Sequence, residues 1–266
     1  MITEIELQQL LKENEELKSR LNLLEVKYQI RDEIPTYCFS QIGFSDLKKI
    51  VEIKPKLNYD KFDDWFNDEN IILNDEDIIF FKNLIDKNIF YLENYKEEDL
   101  KVKFITPILN RINFVNIDKE IRDFYDENLF YQTDQFILNG ETDFVVAKGY
   151  FFSEQPYFFI QEFKKSKAAK NPEPQLLAEL IAAIELNSFT TIKGAFIIGA
   201  IWNFVILEKL GANKYQYFVS RNYDSTDLEK LKSIYKNLLF VKNEIFGYYM
   251  ESGIKGVSTG VVKWKQ

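Results

Sequence analysis

Hydrophobic spacing changes character three times along this chain. Over residues 2–28, Leu7, Asn14, Leu21 and Tyr28 fall at heptad position a, and Leu10, Leu17 and Leu24 fall at d. Leucine at d with a single asparagine at a suits a parallel two-stranded coil, in which Glu13 would face Lys18 and Arg20 would face Glu25. The pattern predicts a coiled-coil helix over 1–30 and a homodimer joined through residues 2–28; the alternative is an amphipathic helix docked on its own domain. Pro35 closes this stretch, and 34–43 reads as a turn or linker. An acidic helical region is expected over 31–95. Within it Asn74 and Asp77 form an N-terminal cap signal, followed by Ile78, Phe81 and Ile85 on one face. The aromatic and acidic residues of 60–70 read as a solvated helix that buries Phe62, Trp65 and Phe66.

From residue 97 the spacing alternates between helical and strand-like. Leu100, Phe104, Ile108 and Leu109 share one side of a helix over 97–112, with a kink at Pro107. Strands are predicted around 128–138, 142–147 and 157–163, the last apolar on both faces as befits a strand buried on two sides. An apolar helix follows over 175–186, then strands over 195–201, 204–210 and 215–220, and a closing helix over 226–248. This order predicts an α/β domain over 96–250, with a mixed central sheet flanked by helices, and a mobile tail over 251–266.

Composition narrows the chemistry. Of 266 residues 46% are hydrophobic and 16% aromatic, which marks a folded chain, and no apolar run approaches the ~18 residues of a membrane span. No segment after Met1 resembles a secretory signal, and one cysteine, Cys38, leaves no internal disulfide, so a cytoplasmic setting is expected. The absence of histidine removes imidazole bases, Ser-His and Cys-His nucleophile pairs and histidine-ligated zinc. Carboxylates, lysines and an oxygen-seeking ion such as Mg²⁺ or Mn²⁺ remain. The net charge of −8 is opposite to that of most nucleic-acid binders, so any such surface must be a local patch, for which Lys164, Lys165, Lys167 and Lys170 are the candidates.

The informative stretch is 139–165. Asp143 lies on one predicted strand and Glu162-x-Lys164 ends the next, with the acid and the lysine on the same face. A buried strand that ends in ionisable groups needs pairing or a metal. An acid followed by Glu-x-Lys on the next strand resembles the PD-(D/E)XK nuclease superfamily. Two further features are similar: the helix EEDLKVKFITPILNRINF, which looks like the opening helix of the nuclease domain in type I restriction motor subunits and their stand-alone relatives, and Gln175 at the start of the following helix. The likeness runs from about Glu97 to Ser220. The proline of the motif's name is absent, because Thr142 precedes Asp143.

The resemblance implies a restriction-endonuclease-like fold and a Mg²⁺- or Mn²⁺-dependent nuclease acting on DNA, in restriction, defence or repair, with RNA not excluded. It implies that Asp143, Glu162 and the carbonyl of Phe163 hold the ion. Lys164 would orient or activate water, Glu97 (or Glu98, one position on) would add a carboxylate, and Gln175 would act as an orienting amide. Lys165, Lys167 and Lys170 would contact nucleic acid. Glu179, Glu185 and Arg122 are further charges with no spacing that singles one out. The rival reading is a catalytically inactive nuclease-fold binding or assembly subunit dimerised by its coil.

Overall fold

The computed structural model of the chain describes residues 10–20, 34–66, 71–165 and 171–252, with side chains to 247. Two compact units divide it, Met1–Pro35 and Thr36–Gln266. In the first, 10–20 form helix α1, and its residues are exposed, Leu10 and Leu17 included. The other heptad positions, Leu7, Leu21, Leu24 and Tyr28, lie outside the described residues, as do 253–266.

The second unit is an α/β fold. Its elements are β1 (Thr36–Cys38), α2 (Phe44–Ile50), β2 (Glu52–Lys56), α3 (Asp63–Phe66), α4 (Asp75–Asn88), α5 (Glu97–Leu100), α6 (Thr106–Ile112), β3 (Ile121–Gln132), β4 (Ile137–Lys148), β5 (Glu154–Lys164), α7 (Glu173–Leu186), β6 (Thr191–Ile198), β7 (Ile201–Gly211), β8 (Lys214–Val219), β9 (Tyr223–Asp224) and α8 (Leu228–Ser252). The strands form one mixed sheet in the order β1-β4-β5-β6-β7-β8-β2, with β3 paired to β4 and β9 to β7. β1–β4, β5–β6 and β8–β2 run parallel, and the remaining pairs are antiparallel.

Local chemistry accounts for several of these elements. At the start of α4 the Asp77 amide donates to Asn74 Oδ1 at 2.8 Å, and the Asn74 amide donates back to Asp77 Oδ2 at 3.3 Å. Two orphan donors of the first turn are thereby satisfied. The helix expected over 97–112 is interrupted. A π-helical turn, Lys101–Ile105, separates α5 from α6, and Pro107 falls in the first turn of α6, where its missing N–H costs nothing. The irregularity is thus the π-turn before Pro107.

Other expectations need correction. The stretch read as an acidic helical region contains β1 and β2, which pair with β4 and β8, so these residues belong to the sheet. β1 replaces the linker read over 34–43. The single strand expected around 128–138 is two strands, because Thr133 Oγ1 accepts from the amides of Gln135 and Phe136 and so turns the chain. The strand read over 195–201 ends at Ile198, and Gly199 turns in the left-handed region with φ of 61°.

The sheet buries both faces. Phe144, Val146, Phe159, Phe163 and Phe204 join α3, α4, α6 and α8 in one core, while Val145, Ala147, Ile160, Val205 and Leu207 join α2 and α7 in the other. α7 is buried over its whole span from Pro174 to Ile184. Each of its larger aliphatic side chains contributes about 1.5–3 kcal/mol by leaving water. The helix lies so close that a Cβ at Gly194 on β6 would meet Leu180 at 3.1 Å, and it would also meet the Ile160 carbonyl of the neighbouring β5 at 2.9 Å. This close packing covers the end of β5 and encloses what projects from it.

Candidate active site

Asp143, Glu162 and Lys164 project from the same face of the sheet, the one covered by α7. Parity dictates this: Val145 and Ile160 lie in the α7 core, and the three residues stand at even spacing from them. The last register pair of β4 and β5 is Phe144 with Gln161, so Asp143 comes across from Glu162 one step on. The Phe163 amide donates to Asp143 Oδ2 at 2.8 Å. Lys164 Nζ lies 2.6 Å from Glu162 Oε1, 2.8 Å from the Phe163 carbonyl oxygen and 3.8 Å from Asp143 Oδ2. These are the three groups that the resemblance implies as metal ligands, and the Lys164 ammonium lies between them.

Glu97 reaches the same point from α5. Its Oε1 lies 3.6 Å from Lys164 Nζ, and its Oε2 accepts from the Lys165 amide at 3.1 Å. Both Glu97 and Glu98 are exposed, and it is Glu97 that makes these contacts, which decides the helix register. Gln175 lines the cleft, but its amide donates to Glu179 Oε1 at 3.1 Å rather than standing free for a phosphate. Lys165 is exposed; Lys167 and Lys170 lie outside the described residues. Glu185 and Arg122 belong elsewhere. Glu185 holds Lys209 and Tyr215, and Arg122 donates to the Asp123 and Tyr150 carbonyls.

Burial sets the electrostatics. Glu162 and Glu179 are both fully enclosed, and each keeps one oxygen, Oε2, without a hydrogen-bond partner. Burial, reinforced by the negative charge of Asp143, pushes the Glu162 carboxyl up to about 8, with Lys164 pulling only partly the other way. Glu179 is also pushed well above the usual range, by burial first and then by Glu162. Burial alone would lower Lys164, but Glu162, Asp143 and Glu97 outweigh it and push the ammonium up to about 12.

Two residues that the sequence reading left out complete the cluster. Lys101, from the π-turn, places Nζ 2.7 Å from Asp126 Oδ1 and 3.9 Å from Asp143 Oδ1. Asp126 interrupts β3 between the pairs Tyr125–Phe144 and Glu127–Thr142, opposite Asp143, with a left-handed φ of 54°. Asp126 carries a weak sequence signal, since aspartate tolerates that conformation better than most residues. Lys101 stands four positions after Glu97, a spacing that puts both on one side of a helix.

A cleft of about 640 Å³ opens over this cluster, and Asp126, Asp143, Glu162, Lys164 and Gln175 are among its lining residues. Among the described residues no group of three or more His, Cys, Asp or Glu side chains is placed to hold a metal ion. The donor set here is instead two carboxylates and a carbonyl. All are hard oxygens, and the partnerless, buried Glu162 Oε2 is an acceptor that a hard cation would satisfy, so the residues fit Mg²⁺ or Mn²⁺. No family model and no curated protein matches this chain. Among the described residues no helix is long and apolar enough to cross a membrane.

Proposed function

We propose that the chain is a metal-dependent nuclease of the PD-(D/E)XK kind, with a restriction-endonuclease-like sheet, that hydrolyses DNA phosphodiester bonds. One observation carries the reading. Asp143, Glu162 and the Phe163 carbonyl converge on one point at the edge of a cleft, with a lysine that contacts all three. A salt-bridged strand end would not need to bury Glu162 completely with one oxygen unpaired.

Asp143, Glu162 and the Phe163 carbonyl would hold the ion. When bound, a divalent ion supplies Lewis-acid polarisation of the phosphate and a more acidic water. The Phe163 amide fixes Asp143 in place, and the strand carries Glu162 and the carbonyl as one rigid piece. Lys164, kept charged by its carboxylates, orients the attacking water and offsets negative charge that develops on phosphorus. Glu97 holds both Lys164 and the backbone that follows it. In the reaction the water oxygen bonds to phosphorus and releases a proton to solvent, the bond to one ester oxygen breaks, and that oxygen takes a proton from solvent and leaves as an alcohol. Because Asp126 and Glu141 also line the cleft, a polyanion enters only with cationic help from Lys164 and from the bound ion.

The heptad pattern of 2–28 supports a homodimer, and two sites in a dimer would let both strands of a duplex be cut. The test is an assay on linear duplex, circular duplex and single-stranded DNA with Mg²⁺ or Mn²⁺, against the same reactions in chelator. Cleavage that needs the ion and disappears in Lys164→Ala is the expected result; no cleavage of any substrate favours the inactive binding subunit.

A further inference from the structure

Nucleases that work on phosphodiesters need positive charge on two sides of the reacting phosphate, and a second divalent ion is one way to supply it. Here Asp143 presents its two oxygens to two different cations. Oδ2 faces Lys164 at 3.8 Å, over the ligand set already described. Oδ1 faces Lys101 at 3.9 Å, and Asp126 closes the far side of that ammonium at 2.7 Å. A pair of carboxylates bridged in this way by a shared aspartate is where a second ion would be sought.

The surroundings of Lys101 suit an ammonium and not a divalent ion. Its side chain is only 11% exposed, and Nζ lies 5.9 Å from the ring centres of both Tyr125 and Phe163. Aromatic faces attract a monovalent cation but offer no oxygen for Mg²⁺ coordination. The lysine springs from a π-turn, an irregularity often found at functional sites, and its partner Asp126 is held in a left-handed conformation that costs an ordinary residue energy. Two local departures from regular geometry thus serve the same contact.

We propose that Lys101 is the site's built-in second cation: it fills the position between Asp126 and Asp143 that a second divalent ion would take. Each chain therefore works with one ion, and the Lys101 ammonium supplies the remaining positive charge beside Asp143. This rests on the nuclease reading above.

The test is a Mn²⁺ titration of the full-length chain, with the free ion followed by electron paramagnetic resonance. Wild type should bind one ion per chain, and Asp143→Asn should weaken that binding by roughly tenfold or more. Asp126→Asn should leave the count at one, because Asp126 serves a lysine and not a metal. Lys101→Met, which keeps the stem between its two rings and so guards against loss of folding, should tighten Mn²⁺ binding by roughly tenfold, since it removes a like charge close to Asp143. The same variant should cleave about 10²-fold more slowly at saturating metal. A wild-type count of two, a fall in the count with Asp126→Asn, or unchanged affinity in Lys101→Met would overturn the role of Lys101 and leave the nuclease reading standing. A wild-type count of zero would overturn both.

Discussion

The carboxylate of Asp143 lies 3.8 Å from the ammonium of Lys164, fixed there by a hydrogen bond from the Phe163 amide at 2.8 Å. The amide that holds the acid and the carbonyl that meets the lysine belong to the same residue. The site is therefore built on the backbone of β5 as much as on its side chains, and its geometry persists as long as the sheet does.

This arrangement predicts how metal affinity responds to substitution. Asp143→Asn and Glu162→Gln should each weaken Mn²⁺ binding by roughly tenfold or more, equivalent to about 1.4 kcal/mol. Lys164→Ala should spare or tighten it, because the ammonium rests on the same oxygens that hold the ion. Isothermal titration calorimetry of the three variants checks the order. A Lys164→Ala variant that binds metal as poorly as Asp143→Asn contradicts the assignment.

Stability should depend on pH through Glu162. Its folded-state value is raised from 4.5 to about 8, so the stability contributed by its neutral form is fully present below 4.5 and lost as pH rises through about 8. Lys164 is raised as well, but its contribution is lost only as pH rises from 10.5 through about 12, above this window. Glu162→Gln, neutral throughout, should gain on wild type by roughly 1.4 kcal/mol for each pH unit across the window. Urea denaturation of both proteins at pH 5 and pH 9, without divalent ions, reads the difference; an equal gap at the two values rules this out.

Packing of α7 on β6 should be intolerant of added volume. At Gly194 a valine would press on the Ile160 carbonyl and on Leu180, costing about 1–3 kcal/mol. Removing the α4 cap with Asn74→Ala should cost ~1 kcal/mol yet leave Mn²⁺ affinity unchanged, because the cap lies outside the cluster. Thermal melts paired with metal titrations separate the two. A loss of metal binding in Asn74→Ala would show that the site depends on more of the fold than the contacts described.

Deleting residues 1–30 should turn a dimer into a monomer while the unit Thr36–Gln266 keeps its fold. Multi-angle light scattering at micromolar concentration reads this directly. A full-length chain that is already monomeric removes the coiled coil from the account.

How much of this was legible beforehand follows from the range of the interactions. The Asn74–Asp77 cap and the shared face of Glu162 and Lys164 depend on neighbours in sequence, and local pattern reveals them. Asp143 could be placed on a strand, but its face depended on the register between β4 and β5. β1 and β2 are short edge strands whose partners lie far along the chain, so nothing local marks them as part of the sheet. Asp126 was hidden because its role comes from lying opposite Asp143 on the neighbouring strand β3. Lys101 shares a helix side with Glu97, but its partner Asp126 lies on a distant strand. The complete burial of Glu179 depends on how closely α7 meets the sheet, and Gly194 alone gives little warning of that.

The central claim is tested most directly by the single-turnover cleavage rate of a labelled DNA duplex in millimolar Mg²⁺, measured for wild type, Asp143→Asn and Lys164→Ala. Wild type should cut the duplex, chelator should stop it, and each variant should be slower by about 10²-fold or more, as expected when one charge-stabilising group is removed from a site of this kind. Duplex left intact by the wild-type protein, or cut equally fast by all three proteins, would contradict the account.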